Sequence, residues 1–338
     1  MNHLHVWPYR FHFLARSPAV FPLHQSGNIL RGAFGTIFRR IACEPQCPGA
    51  LHCEIAQDCP YAQVFEPRWE SGPSGLTDPP RAFVFRPTGL EGRNLQPGEA
   101  FSFDLHLFSP RPDLLAYFVL TFRQLGVEGI GPGRARVELV RVNALNETGE
   151  PGTAVFENGS LAGSAGEGIA LTLSAPEPAP QPAPEPATGI LRIQFLTPTE
   201  FKEAGSVVVR PEFGPLFRRL ANRIGNLCAL YQGERPAGDL EALTHAADQL
   251  RIVGGTVSWA EVDRRSSKTG QRHSLGGFTG PVDYQGDYQA DYQGDYGPFL
   301  PWLRAARWTG IGRQTVWGKG PSKPSRSTRQ ELSISHRT

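Results

Sequence analysis

The sequence predicts an α+β chain that uses one strand–helix–strand–strand–helix–strand unit twice. Two observations carry this. Gly129-Ile-Gly-Pro-Gly-Arg134 and Trp308-Thr-Gly-Ile-Gly-Arg-Gln-Thr-Val-Trp-Gly-Lys-Gly320 set the same glycine-and-cation device after a helical segment and before a β-like run, once in each half. Glycine takes positive φ and admits another backbone closely, so such a loop suits either a phosphate chain or a plain tight turn. Between the halves, Ala175-Pro-Glu-Pro-Ala-Pro-Gln-Pro-Ala-Pro-Glu-Pro-Ala187 is a spacer. It should be extended at about 3 Å per residue and cannot form a core.

The first unit opens with an aromatic, β-forming strand over Val6–Ala15. From Asn28, Leu30, Ala33, Phe34, Ile37, Phe38 and Ile41 fall on one helical stripe. Arg31, Arg39 and Arg40 lie off it, on a face either solvated or binding. Strands follow at Arg81–Pro87 and Phe101–Ser109, where Phe101, Phe103, Leu105 and Leu107 alternate with polar partners. Asp113 suits the N-cap of a helix through Leu125, and Ala135–Leu145 closes the unit as a strand. That order is the split βαβ pattern of ferredoxin-like domains. Residues 149–174 read as an appended hairpin.

The second unit repeats the order. Leu191, Ile193 and Phe195 form a strand, and a helix runs from Pro211 through Phe213, Leu216, Phe217, Leu220, Ile224 and Leu227 to a stop at Gly233. Cys228 beside that stripe reads as a core thiol. A short helix over Asp239–Gln249 precedes strands near Arg251–Asp263 and Arg272–Tyr284, then a helix through Phe299, Leu300, Leu303 and Ala306. Asp283–Tyr296 repeats four residues, as an expanded hairpin tip or a tyrosine platform for bases. The implied division is 1–174, with a cysteine-rich insertion at 43–67, a linker at 175–188, a second domain at 189–321 and a disordered basic tail at 322–338.

Composition excludes little and localises much. Net charge is only +2 over 338 residues, so any nucleic-acid partner must be met by local clusters. No run of eighteen apolar residues predicts a membrane span, and the opening residues lack a secretory pattern. Five cysteines, four of them within seventeen residues, fit a reducing compartment. A cytoplasmic protein is expected.

Several ordered phrases resemble the RAMP-superfamily endoribonucleases that process CRISPR precursor RNA. They are Leu30-Arg-Gly-Ala-Phe-Gly35, Cys59-Pro-Tyr61, Phe65-Glu-Pro67 and the first glycine loop. In the second half come Phe195-Leu-Thr-Pro-Thr199, Phe217-Arg-Arg219, Leu275-Gly-Gly-Phe-Thr-Gly280, Phe299-Leu-Pro-Trp-Leu303 and the closing loop. The resemblance implies tandem ferredoxin-like (RRM-like) domains with the second glycine loop near RNA. It also implies cleavage within repeat RNA without a catalytic metal, leaving a 5′-hydroxyl and a 2′,3′-cyclic phosphate. Gln314 stands where the closing loop of such enzymes often has another glycine. A non-catalytic RAMP subunit holding guide RNA among other effector-complex subunits is the competing expectation, and the chain is expected to be a monomer or homodimer.

Cleavage at the RNA's own 2′-hydroxyl needs proton transfer and positive charge at the phosphate. Histidine, with an ordinary pKa near 6.5, suits the first task. His24 lies between the first strand and helix, where many members resembling this chain keep their histidine, and Arg31 is placed to pair with phosphate. His273 is the rival, in Arg264-Arg-Ser-Ser-Lys-Thr-Gly-Gln-Arg-His273. Arg264, Arg265, Lys268 and Arg272 from that segment are expected to bind the RNA backbone. Gly310, Gly312, Arg313, Gly318, Lys319 and Gly320 join them from the closing loop. The remaining histidines, His106 among them, read as structural or exposed. Cys43, Cys47, Cys53 and Cys59 suit a structural zinc, with an iron–sulfur cluster as the alternative.

Overall fold

The computed structural model describes residues 2–44, 46–49, 52–67, 79–87, 89–111, 113–161, 166–174, 190–203, 205–265, 272–274, 276–286, 296–312 and 321–327. For 263–265, 272–274 and 321–327 it describes the backbone alone. The expected linker, most of the tyrosine repeat, Lys268, Arg313, Gly318, Lys319, Gly320 and the end of the tail lie outside these residues.

The first domain runs β1 (His3–Ala15), β2 (Ala19–Val20), α1 (Ser26–Ala42), α2 (Pro60–Val64), β3 (Phe83–Arg86), β4 (Asn94–Leu95), β5 (Ala100–Leu107), α3 (Leu114–Glu128), β6 (Val137–Leu145), β7 (Pro151–Glu157), β8 (Ser160–Leu161) and β9 (Ile169–Thr172). Its main sheet has the order β3-β5-β1-β6, with antiparallel pairs throughout. That is the ferredoxin-like arrangement, extended here by β7 and β8.

The second domain runs β10 (Ile190–Thr199), β11 (Lys202–Glu203), β12 (Ser206–Val207), α4 (Phe213–Tyr231), α5 (Leu240–Ala247), β13 (Leu250–Gly255), β14 (Ser258–Ala260), β15 (Asp263–Arg265), β16 (Arg272–Ser274), β17 (Gly277–Gly286), α6 (Leu300–Thr309) and β18 (Pro321–Ser327). The order β13-β17-β10-β18 repeats the first sheet's topology. The expectation of a doubled unit therefore holds.

Period-two alternation explains how β1 serves two cores. Tyr9, Phe11, Phe13 and Ala15 face α1 and α3, in a cluster where Phe34 stacks on Phe118 with ring centroids 4.5 Å apart. Leu4 and Val6 point to the other face, joining Val84 and Phe108 against the α4 stripe of Leu216, Phe217, Leu220 and Ile224 and against α6. The two domains thus share a core. The Gln232 side chain, just past α4, reinforces it: its Nε2 donates to His5 O at 2.7 Å and Phe108 O at 3.0 Å, while His5 N–H donates to its Oε1 at 3.0 Å.

Four local readings change. Asp113 precedes α3 but gives no side-chain cap; its carboxylate pairs instead with Arg111. The segment after β8 is more than a hairpin, because β9 pairs with His3–Val6 of β1. The stretch 251–263 is broken into β13, β14 and the start of a separate β15–β16 ribbon. Residues 321–327, most of which read as disordered tail, instead form β18 along Ile190–Phe195. Two prolines and no apolar alternation hide that strand, and both are tolerated because it pairs on one side only. Cys228 is buried in the second core, as expected.

Candidate nucleic-acid interface

Two groups of features emerge, one on each domain. On the first, the turn between β2 and α1 carries His24, a non-glycine residue at φ 61°. Such left-handed backbone is uncommon outside glycine and costs on the order of 1 kcal/mol or more, so the surroundings must hold it. Glu91 lies against the turn, its carboxylate facing the backbone N–H groups of His24, Gln25 and Ser26, and Gln25 N–H donates to Pro22 O at 3.1 Å. A carboxylate is well suited to the backbone donors at the start of a helix. Burial pushes the Glu91 carboxyl up, against the pull of those donors.

The first glycine loop packs beside this turn. A Cβ on Gly131 would meet Val20 O and the Ile29 side chain, each at 3.5 Å. Gly129 ends α3 at φ 98°, its N–H donating to Leu125 O at 2.8 Å. Arg16, Arg134 and Arg136 are exposed around the same edge. Arg16 N–H donates to Arg136 O at 2.8 Å, joining the end of β1 to the run after the loop. Tertiary pairing brings Arg16 to Arg134 and Arg136, so no local sequence signal marks Arg16. Arg31 sits in α1 with its guanidinium 4.7 Å from the Phe65 ring centroid. That packing ties it to the cysteine-rich insertion.

On the second domain, three of the quoted phrases meet at Thr199–Glu200. A Cβ on Gly277, at the start of β17, would stand 2.6 Å from Thr199 backbone atoms. A Cβ on Gly312, at φ 90°, would stand 2.7 Å from Glu200 O. Only glycine permits either approach. The β15–β16 ribbon rises just before Gly277, with Arg264 opposite His273 and Arg265 opposite Arg272. Gly310 ends α6 at φ 70°, its N–H donating to Ala306 O at 2.9 Å, as Gly129 ends α3. The echo between the loops is thus a shared helix stop.

The last carbonyls of α6 are held by side chains from elsewhere in the fold. Arg86 of β3 donates to Ala306 O at 3.1 Å and Arg307 O at 2.8 Å. His106 of β5 places Nδ1 2.9 Å from Trp308 O, and Arg223 of α4 donates to Thr309 O at 2.9 Å. The negative end of the helix dipole favours these cations. Burial nonetheless lowers both guanidiniums, Arg86 to about 10 and Arg223 to about 9, and both stay charged near neutrality. These residues fix where the second glycine loop begins. Single residues in separate strands and helices give no motif, and His106 matches its structural reading.

Burial pushes His106 down to about 3, so it stays neutral and its Nδ1–H donates to Trp308 O. A free histidine titrates near 6.5, so this group's stabilisation is complete above that pH and drains as pH falls toward 3. The loss reaches at most about 1.4 kcal/mol per pH unit. His106→Asn, which keeps a donor and cannot titrate, should flatten the decline of Tm between pH 6.5 and 4. An unchanged decline would place the acid sensitivity elsewhere.

Among the described residues, the start of the second glycine loop and the His24 turn lie at different places along the first sheet. His106 pairs with Pro8 on β1, whereas the His24 turn lies beyond Ala15, roughly 20 Å further along the strand. His273, by contrast, lies on β16, which ends three residues before Gly277, the glycine that approaches Thr199.

Comparison with known proteins follows the same division. Residues 193–321 match the family model of the CRISPR-associated endoribonuclease Cas6, and residues 4–167 match a family described only as an N-terminal domain. A Cas6 product complex superposes with TM-score 0.54 at 18% identity, covering 95% of this chain and 99% of that one. Thermus thermophilus Cas6 gives TM-score 0.51 at 14% identity, with 96% and 99% covered. A partial Cas6-RT-Cas1–Cas2 complex gives 0.55 at 14% identity, covering 98% of this chain and 47% of that one. No curated protein matches the chain.

Proposed function

Residues 193–321 match the CRISPR-associated endoribonuclease Cas6 family, and from that premise we propose that the chain is a Cas6-type nuclease that cuts CRISPR repeat RNA once, by attack of the RNA's own 2′-hydroxyl. The observation that most supports this is the approach of Gly277 and Gly312 to Thr199–Glu200, with the β15–β16 ribbon and its arginines leading directly into Gly277, all within the matched region.

In this reading the backbone phosphates of one RNA strand run along Arg264, Arg265, Lys268 and Arg272 and the loop cations Arg313 and Lys319. The glycines at 310, 312, 318 and 320 let the chain lie close to that strand. His24 takes the 2′-hydroxyl proton, and the oxygen so freed attacks the adjacent phosphorus. The bond to the leaving 5′-oxygen breaks and that oxygen is protonated, leaving a 2′,3′-cyclic phosphate and a 5′-hydroxyl. Arg31 neutralises charge that builds on the phosphate oxygens. No metal takes part in these steps. Arg16, Arg134 and Arg136 extend the basic edge beside His24, so an RNA reaching both domains stays in contact with cations.

The test is end-labelled repeat RNA incubated with the protein in EDTA. The expected result is a single cut with a cyclic phosphate on the upstream fragment. Ribbon variants (Arg264→Ala, Arg265→Ala, Arg272→Ala) should weaken binding most at low salt. Tight binding with no cut in the wild-type protein would replace the nuclease with a guide-holding subunit, and cutting lost in EDTA would end the metal-free mechanism.

A further inference from the structure

We propose that Cys43, Cys47, Cys53 and Cys59 bind one zinc ion as four thiolates, a structural centre that closes the cysteine-rich insertion against the first domain. Cys43 caps the end of α1, its N–H donating to Arg39 O at 2.9 Å, and Cys59 immediately precedes α2, its N–H donating to Ile55 O at 2.9 Å. Their sulfurs are 3.9 Å apart. Tetrahedral zinc with bonds of about 2.3 Å sets neighbouring sulfurs about 3.8 Å apart, so one edge of the site is already in place.

The other two thiols lie close enough to interact along the same chain, Cys47 with Cys43 and with Cys53. A disulfide joins sulfurs only in exclusive pairs, whereas one ion accounts for Cys43 and Cys47 each having two thiol neighbours. All four are free cysteines.

Among the described residues no three metal-ligating side chains yet surround a common centre, so binding must draw Cys47 and Cys53 inward. Both are half-buried in an irregular loop that includes Gly49 at φ 102°, where such movement is cheap. Arg39 steadies that loop by donating to Cys47 O at 2.8 Å, and its charge offsets part of the thiolates'. An iron–sulfur cubane fits less well. Each of its thiolates binds a separate iron, which spreads the sulfurs beyond the close Cys43–Cys59 pair.

The centre has structural work to do. It ties the end of α1 to the start of α2, whose Tyr61 lies 5.7 Å from the Phe38 ring. Phe65, directly after α2, supports Arg31. This inference stands whether or not the protein cuts RNA.

The test is elemental analysis of the full chain purified without chelator, followed by exchange with cobalt. The expected result is about one zinc per chain and, with cobalt, sulfur-to-cobalt charge-transfer absorption. Cys228→Ser should keep the metal and the Cys43→Ser/Cys59→Ser double variant should lose it. If the double variant fails to fold, titrating the wild-type thiols with an organomercurial should release the zinc in step with the thiols. A folded, metal-free protein that takes up no cobalt would overturn the proposal. So would brown protein containing iron and sulfide, zinc retained in a folded double variant, or zinc that leaves without thiol titration.

Discussion

Replacing His24 is expected to slow single-turnover cleavage of repeat RNA by about 10²- to 10⁴-fold while binding persists, the span usual for loss of a general base. The backbone dictates which replacement is informative. At φ 61° alanine adds strain of its own, so His24→Ala alone would confuse lost chemistry with a displaced turn. Asparagine tolerates left-handed backbone, so His24→Asn removes the imidazole and leaves Glu91 against the turn. Both variants should lose cleavage, and His24→Asn should retain the wild-type Tm. Full cleavage by His24→Asn, with cleavage abolished in His273→Ala, would move the chemistry to the β15–β16 ribbon.

The second large effect is expected at Arg86. Arg86→Ala strips Ala306 O and Arg307 O of their donor and opens a cavity in the shared interior. Relief of a buried charge offsets part of the loss, leaving a destabilisation of about 2–4 kcal/mol. Arg86→Met fills much of the same space without the charge and should recover part of that stability. It should still cleave poorly, because the end of α6 is no longer held and the second glycine loop starts from a blurred position. Arg86→Lys, with one ammonium between two carbonyls, should fall between them in cleavage. If Arg86→Met folds and cuts like the wild type, the grip on α6 has no bearing on the RNA.

Much of the fold was legible because its elements obey local rules. Alternation along 101–107 and the stripe from Phe213 to Leu227 mark a strand and a helix whose partners need not be known. Doubling of the glycine device then supplied the topology. β18 escaped because what places it is backbone pairing along β10, and backbone hydrogen bonds require no apolar alternation in the sequence. The candidate site was legible only as residue types. Arg264, Arg265 and Arg272 announced a cationic ribbon by density. Arg86, His106 and Arg223 converge from three distant segments on carbonyls, groups every residue has, and nothing in their neighbourhoods foretells it. The approach of Glu91 to the His24 turn was hidden for the same reason.

Leu173, at the end of the first domain, and Leu191, near the start of the second, are buried in one common cluster. The chain is therefore fastened down on both sides of residues 175–189, and the spacing of the two glycine devices is dictated by packed side chains. The proline-rich stretch does not set that spacing. It can lengthen, shorten or change composition over generations without altering the reach between the devices.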